Sequence, residues 1–248
     1  MTDPTNRPDA REPLFAYRDA MHDFKIRPAT SALILVDLQY GSASAEYGFG
    51  AIYQRLGYAD VLSAYVTRVN TVVVPAVQRL QRAFRDAGAP VIFVTLGTVV
   101  GDLSDMPPRF RRAVTHWESL GLPGPYARVG TRDIAVLDEI APREGEPVIV
   151  KTSASGFTSS PLERLLFNLN VREIAFCGVA TAYCVESTLR DAADRGFDVL
   201  LVEDGCADVT PEIHDRGVKG CAAFGRVASA DQVVSELVGS RQLAGASR

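Results

Sequence analysis

The stretch GVATAYCVESTLRDAADRGF, residues 178–197, completes an apolar run, EIAFCGV at 173–179, and then leads through small residues to Cys184. An amphipathic pattern continues to Arg195 and stops at Gly196, a glycine suited to closing a helix. The unit therefore reads strand, tight turn, helix, with one cysteine at the helix start. Two readings of that cysteine stand open: a small buried core residue, or a nucleophile set on a strand-to-helix turn.

Working outward, five further apolar runs resemble 173–179: ALILVD (32–37), PVIFVTL (90–96), PVIVK (147–151), DVLLVED (198–204) and a weaker GRVAS (225–229). They are nearly continuous in apolar residues, as strands covered on both faces are. Helical patterns lie between them. One runs from about Asp60 to Ala87, where Pro75 must start a new helix or kink the existing one. Others cover 159–170 with Ser160 as cap, 210–224 behind a Thr-Pro start, and Asp231 to Val238. Strand alternating with helix predicts an α/β protein, a three-layer α/β/α sandwich on a six-stranded, mostly parallel, Rossmann-like sheet with right-handed crossovers. Residues 98–146 break the rhythm with mixed Pro, Gly and aromatics; they read as an excursion holding one short helix near 108–117. Such insertions often sit over the carboxyl ends of strands, where ligands bind.

The length, 248 residues, suits one domain. Residues 1–27, polar and Pro-rich at the start, read as an N-terminal extension whose first ten residues are loose, and 28–248 as a single domain. A net charge of −4 with no Lys/Arg stripe disfavours nucleic acid; RFRR at 109–112 reads as a solvated helix face. No apolar run suits a membrane span and no signal pattern opens the chain, so a cytoplasmic protein is expected. Cys177, Cys184, Cys206 and Cys221 lack CxxC spacing and read as free thiols. His22, His116 and His214 form no metal-binding cluster, so neither a metal nor a cofactor is expected.

Three strand ends carry chemistry. Asp37 ends the first strand, Lys151 the third, and Cys184 follows the fourth. An α/β sheet delivers such residues to one edge. A helix N-terminus and a lysine ammonium would both depress a thiol's pKa, and Asp37 is suited to relaying its proton. The backbone N–H groups of Ala180 and Cys184 are candidates for an oxyanion hole. Singly, each residue has a plainer reading: Asp37 or Asp204 as a loop cap, Lys151 as an exposed strand end, the other cysteines as core. Gln39, two residues after Asp37, either shares its face or is a surface polar residue.

LILVDLQ, VIVKTSASGFTSSPLERLL and GVATAYCVESTLRDAADRGF, taken in order, resemble the isochorismatase-like cysteine hydrolases over roughly residues 28–240. This superfamily includes nicotinamidases, N-carbamoylsarcosine amidase, and ureidoacrylate and biuret hydrolases. The resemblance implies the isochorismatase-like fold and a catalytic triad. Cys184 would attack a carbonyl to form an acyl-enzyme, Asp37 would act as base and acid, and Lys151 would hold both. It also implies a cis peptide between Val179 and Ala180 that turns the Ala180 N–H toward the oxyanion hole.

The metal-dependent nicotinamidase branch fits poorly, since neither SASAEYGFG after Asp37 nor TLGTVVGD after the second strand contains histidine. Isochorismatase itself lacks the cysteine. What the resemblance implies is therefore a metal-free hydrolase of a small amide, ureide or N-carbamoyl compound that releases ammonia, or carbamate that decays to it. The nearest branches are the N-carbamoylsarcosine amidase and ureidoacrylate amidohydrolase types. Candidate substrate contacts are Gln39, Tyr40, Ser155, Phe157, Tyr183 and Trp117, with Tyr47, Phe49 and Tyr53 as further aromatic walls. Arg109, Arg111, Arg112 and Arg128 are candidates for a substrate carboxylate. Family members form homo-oligomers, so a dimer or tetramer is implied. The competing readings are a non-catalytic binding module that keeps the fold and a redox thiol with Cys206 as its resolving partner.

Overall fold

The computed structural model describes residues 20–122 and 127–246. The first nineteen residues of the expected extension, including its expected loose start, lie outside the described residues. Seven strands form one sheet: β1 (Ser31–Val36), β2 (Val91–Thr98), β3 (Ala127–Arg128), β4 (Val148–Lys151), β5 (Glu173–Val179), β6 (Asp198–Ala207) and β7 (Arg226–Ala228). All six expected strands are present. The seventh, β3, is a two-residue strand inside the excursion. The order is β3-β2-β1-β5-β6-β7, with β4 also on the outer side of β2, and every strand pairing is parallel.

Alternation along the strands sorts the core into two layers. Leu33, Leu35 and Phe93 face one side; Ile34, Val36, Ile92 and Val94 face the other, packing on Leu162, Leu166, Val185 and Leu189. Chain order runs outward from β1 to β2 in one direction and from β5 to β6 in the other. The crevice outside the carboxyl ends of β1 and β5 is thus the topological switch point, where open α/β sheets bind ligands.

The helices are α1 (Tyr40–Ala43), α2 (Gly48–Arg55), α3 (Ala59–Arg68), α4 (Val74–Asp86), α5 (Pro108–Ser119), α6 (Leu162–Asn168), α7 (Glu186–Asp194), α8 (Pro211–Cys221) and α9 (Ala230–Ala246). Between α3 and α4 the backbone widens into a π-helical turn, Val69–Val73, which accommodates Pro75 in the first turn of α4. The expected break at Pro75 is thus absorbed within one continuous helical path. Ser160 caps α6 through its Oγ, which accepts from Leu162 N at 3.2 Å, although Pro161 stays just outside the helix. Thr210 caps α8 as its Thr-Pro start suggests. The last helix is longer than Asp231–Val238.

Two buried side chains precede β1. Phe24 and Ile26, placed by sequence in the extension, lie in the core, and Ile26 N donates to Glu236 on α9. No helix among the described residues is long and apolar enough to cross a membrane.

Candidate active site

The approach of β1 and β5 is set by backbone conformations that few residues tolerate. Gly178 has φ +139°, and a Cβ there would lie 2.1 Å from Val36 O, so only glycine lets the two strand ends come this close. Asp37, one residue past β1, is itself left-handed at φ +52°, a region that Asp tolerates better than most side chains. The Val179–Ala180 peptide is cis. Beyond it Thr181–Val185 forms a π-helical turn that runs into α7, so Cys184 sits inside the turn rather than at the first position of the α-helix.

These elements bring the three strand-end residues together. Lys151 is fully buried, and its Nζ donates to Asp37 Oδ2 at 2.9 Å, to Ser153 O at 3.0 Å and to Cys184 Sγ at 3.4 Å. An ammonium has three donors, and all three are used. Asp37 Oδ1 is buried with no hydrogen-bond partner. The turn that supplies Ser153 O is fastened by Ser159, whose Oγ accepts from the N–H groups of Thr152 and Ser153 at 3.0 and 3.1 Å.

Charge follows from burial. The Lys151 pKa stays above the ordinary lysine value: burial opposes its charge, but the Asp37 carboxylate and the Cys184 sulfur more than offset that. Asp37 is raised by burial, against the pull of Lys151. The Cys184 thiol is pushed up to about 12, by burial first and then by the Asp37 charge, with Lys151 acting in the opposite direction. The sequence suggested a depressed thiol. The structure corrects this, because a fully desolvated sulfur beside a carboxylate gains less from one lysine than it loses from both. At rest the sulfur is a thiol and Lys151 an ammonium.

Asp37 and Cys184, the two side-chain partners of Lys151, line a cavity of about 380 Å³. Asp37, Val179, Ala180, Tyr183 and Cys184 line it, together with Ser42, Ser44, Phe49, Gly50, Tyr53, Leu62, Tyr65, Leu96, Asp208 and Val209. Of the expected substrate contacts, Tyr183 lies at the cavity, half exposed, and Phe49 and Tyr53 form walls. The others lie elsewhere. Gln39 ties β1 to β2, accepting from Leu96 N at 2.6 Å and donating to Leu96 O at 2.9 Å and Asp133 O at 3.2 Å. Its side chain does share the buried side of the chain after Asp37, but backbone groups saturate it. Tyr40 packs edge-on against Tyr47 beneath the Arg132 guanidinium. Phe157 is buried in the core layer under α6 and α7, and Ser155 Oγ accepts from Phe157 N. Trp117 lies half-buried on α5 against His116.

The excursion contributes no wall among its described residues. The α5 helix turns Phe110 and Val114 inward, and Arg109, Arg111 and Arg112 to solvent; Arg128 is also exposed. The walls come instead from α2 and α3, which the periodicity gave no reason to place over the site.

Two residues near Cys184 escaped the sequence reading. The strand β6 continues past Asp204 through an irregularity to Ala207, so Asp208 is the acid at the site edge, and its Oδ2 accepts from Ala182 N at 2.8 Å. Asp204 caps α9 by accepting from Ala230 N. The signal available was Gly205, which marks a strand irregularity rather than an end. His214, one turn into α8, contacts Thr181 Oγ1 at 2.8 Å through Nδ1 and Arg68 Nη2 at 2.9 Å through Nε2. A guanidinium only donates, so Nε2 accepts and Nδ1–H donates to Thr181. Burial, then Arg68, lowers the His214 pKa and keeps the ring neutral. Among the described residues no group of three His, Cys, Asp or Glu could hold a metal.

Comparison with known proteins agrees with this geometry. The isochorismatase domain family model matches residues 31–232. Ureidoacrylate amidohydrolase RutB of Stutzerimonas stutzeri strain A1501 is 30% identical over 230 residues, covering 90% of this chain and 88% of that protein. Among solved structures, a cysteine hydrolase from Pseudomonas syringae pv. phaseolicola 1448A superposes with TM-score 0.72 at 25% identity, over 88% of this chain and 97% of its own. The N-carbamoylsarcosine amidase of Thermoplasma acidophilum shares the fold at TM-score 0.57 and 22% identity, over 82% and 97% of the two chains.

Proposed function

Because the chain belongs to the isochorismatase family and is a cysteine hydrolase of that family, we propose that it hydrolyses a C–N bond of a small amide, ureide or N-carbamoyl compound through an acyl-enzyme at Cys184. The observation that carries this is the single buried ammonium of Lys151 touching both Asp37 and Cys184 at the wall of a cavity. The thiol rests protonated, so attack requires a base beside it, and Asp37, bonded to the same Lys151 ammonium as the sulfur, is that base.

As Sγ bonds to the carbonyl carbon, the thiol proton passes to Asp37 and the carbonyl oxygen becomes an oxyanion. The N–H groups of Ala180 and Cys184 receive it. Collapse breaks the C–N bond, and the leaving nitrogen takes the proton back from Asp37. Water then attacks the thioester. Asp37 accepts a proton from it, the acid product departs, and Cys184 regains its proton. Lys151 keeps Asp37 and the sulfur in register while charge moves between them. The reaction releases ammonia, or a carbamate that decays to carbon dioxide and ammonia. As the resemblance implies, the working form in this reading is a homo-oligomer, dimer or tetramer.

The similarity to a ureidoacrylate amidohydrolase supports the choice of C–N over other bonds. The test is ammonia release by the purified protein across aliphatic and aromatic amides, alkyl ureas, biuret and N-carbamoyl amino acids, with Cys184→Ala alongside. Turnover of one class, at least about a thousandfold lower in the variant, is the expected outcome. A variant that keeps the wild-type rate overturns the mechanism.

A further inference from the structure

The apolar part of the cavity lining includes Phe49, Tyr53, Leu62, Leu96 and Val209. The charged side chains that line the cavity are Asp37 and Asp208, both acidic. Among the described residues no lysine or arginine does so. The two cations closest in the network face away from it. Lys151 has all three donors engaged behind Asp37, and Arg68 is held by Cys206 O at 3.2 Å and His214 at 2.9 Å. Asp208 accepts from Ala182 N through Oδ2 and from Val209 N through Oδ1, each at 2.8 Å, so backbone donors hold both of its oxygens at the cavity edge. A substrate carboxylate entering this space would lose its hydration, meet no counter-charge and face two like charges. An apolar group would replace water against aromatic and aliphatic walls.

We infer that the substrate is an uncharged amide or ureide whose non-reacting end is a compact apolar group, and that the site excludes carboxylate-bearing analogues. The inference rests on the C–N hydrolase reading above and narrows it. Ureidoacrylate, named for the relative, bears a carboxylate, so the inference sets this chain's substrate apart from the one in that relative's name.

Matched pairs test this: benzamide against para-carbamoylbenzoate, isobutyramide against succinamate, and propylurea against ureidopropanoate. Each member is assayed for ammonia release by the wild type and for binding to Cys184→Ala by titration calorimetry. The expected result is a preference of about a hundredfold or more for the neutral member in kcat/KM, with the same order in binding. Equal or better turnover of the carboxylate members overturns the inference and leaves C–N hydrolysis standing. Neutral members that bind Cys184→Ala selectively but are not hydrolysed by the wild type support the pocket assignment and overturn the C–N reading. Failure of every neutral member both to bind and to react overturns the inference.

Discussion

Lys151 is a fully buried ammonium, and a charge taken out of water is tolerable only where every donor is met. Three acceptors, one of them the reactive sulfur, meet that demand, so the electrostatics of the protein and the chemistry of the site are one arrangement. The protonation state that follows can be measured. Asp37 must be ionised to take the thiol proton, and burial raises its pKa. As pH falls, kcat/KM is therefore expected to decline with a midpoint above 3.8, the ordinary aspartate value. On the alkaline side Lys151 stays charged beyond 10.5 and the thiol stays protonated to about 12, so no alkaline fall or rise in rate is expected below 10.5. A rate that instead climbs with a midpoint near 9.0, the ordinary thiol value, would mean that the reactive species is a thiolate formed before substrate attack. Asp37, Lys151 and Cys184 were legible in the sequence because each ends or follows an apolar run, and parallel strands align such ends. Gln39 shows the limit of the same reasoning. Its spacing placed it beside Asp37, but spacing does not reveal that Leu96 and Asp133 would engage its amide.

At the scale of the element, the nucleophile turn is a π-turn held from behind by α8. The packing is close enough that a Cβ on Gly217 would lie 2.7 Å from Ala182 N. Thr181 and Ala182 are fastened to that side by His214 and Asp208. His214 titrates below its ordinary 6.5 because burial and Arg68 oppose its charge. Between the two values the unfolded chain holds more protons than the folded one, so stability falls as pH drops below 6.5 and the loss levels off below the folded pKa. The groups facing the ring are Arg68 from α3, Thr181 from the turn, Asp208 from the end of β6 and Asp215 from α8 itself. The difference in Tm between wild type and His214→Gln should thus shrink as pH falls below 6.5. A difference independent of pH would show that His214 does not titrate with folding. The sequence made the strand–turn–helix unit plain, since apolar run, small residues and amphipathic pattern follow one another without interruption. The continuation of β6 to Ala207 was not plain, because a polar break such as Glu203-Asp204-Gly205 looks the same whether a strand ends or bends.

At the scale of the whole molecule, strand order places β1 beside β5 and so opens the crevice that receives Asp37 and Cys184. The sandwich was legible from alternation alone. The cavity was not, because its walls depend on how α2 and α3 fold back over the sheet. The sequence offered Tyr40, Tyr47, Phe49 and Tyr53 after the first strand and Trp117 in the excursion; Phe49 and Tyr53 line the cavity, while in the excursion Asp133 Oδ1 accepts from Gly48 N at 3.0 Å and braces the exit of β1. The central claim is that substrate passes through a covalent bond to Cys184. The direct measurement is mass spectrometry of protein quenched in acid during turnover of its best amide, after proteolysis. The account predicts that the peptide containing Cys184 gains the mass of the acyl group in wild type, and that Asp37→Asn shows no such gain. Steady turnover with the Cys184 peptide unmodified, and the same turnover in Cys184→Ala, would contradict it.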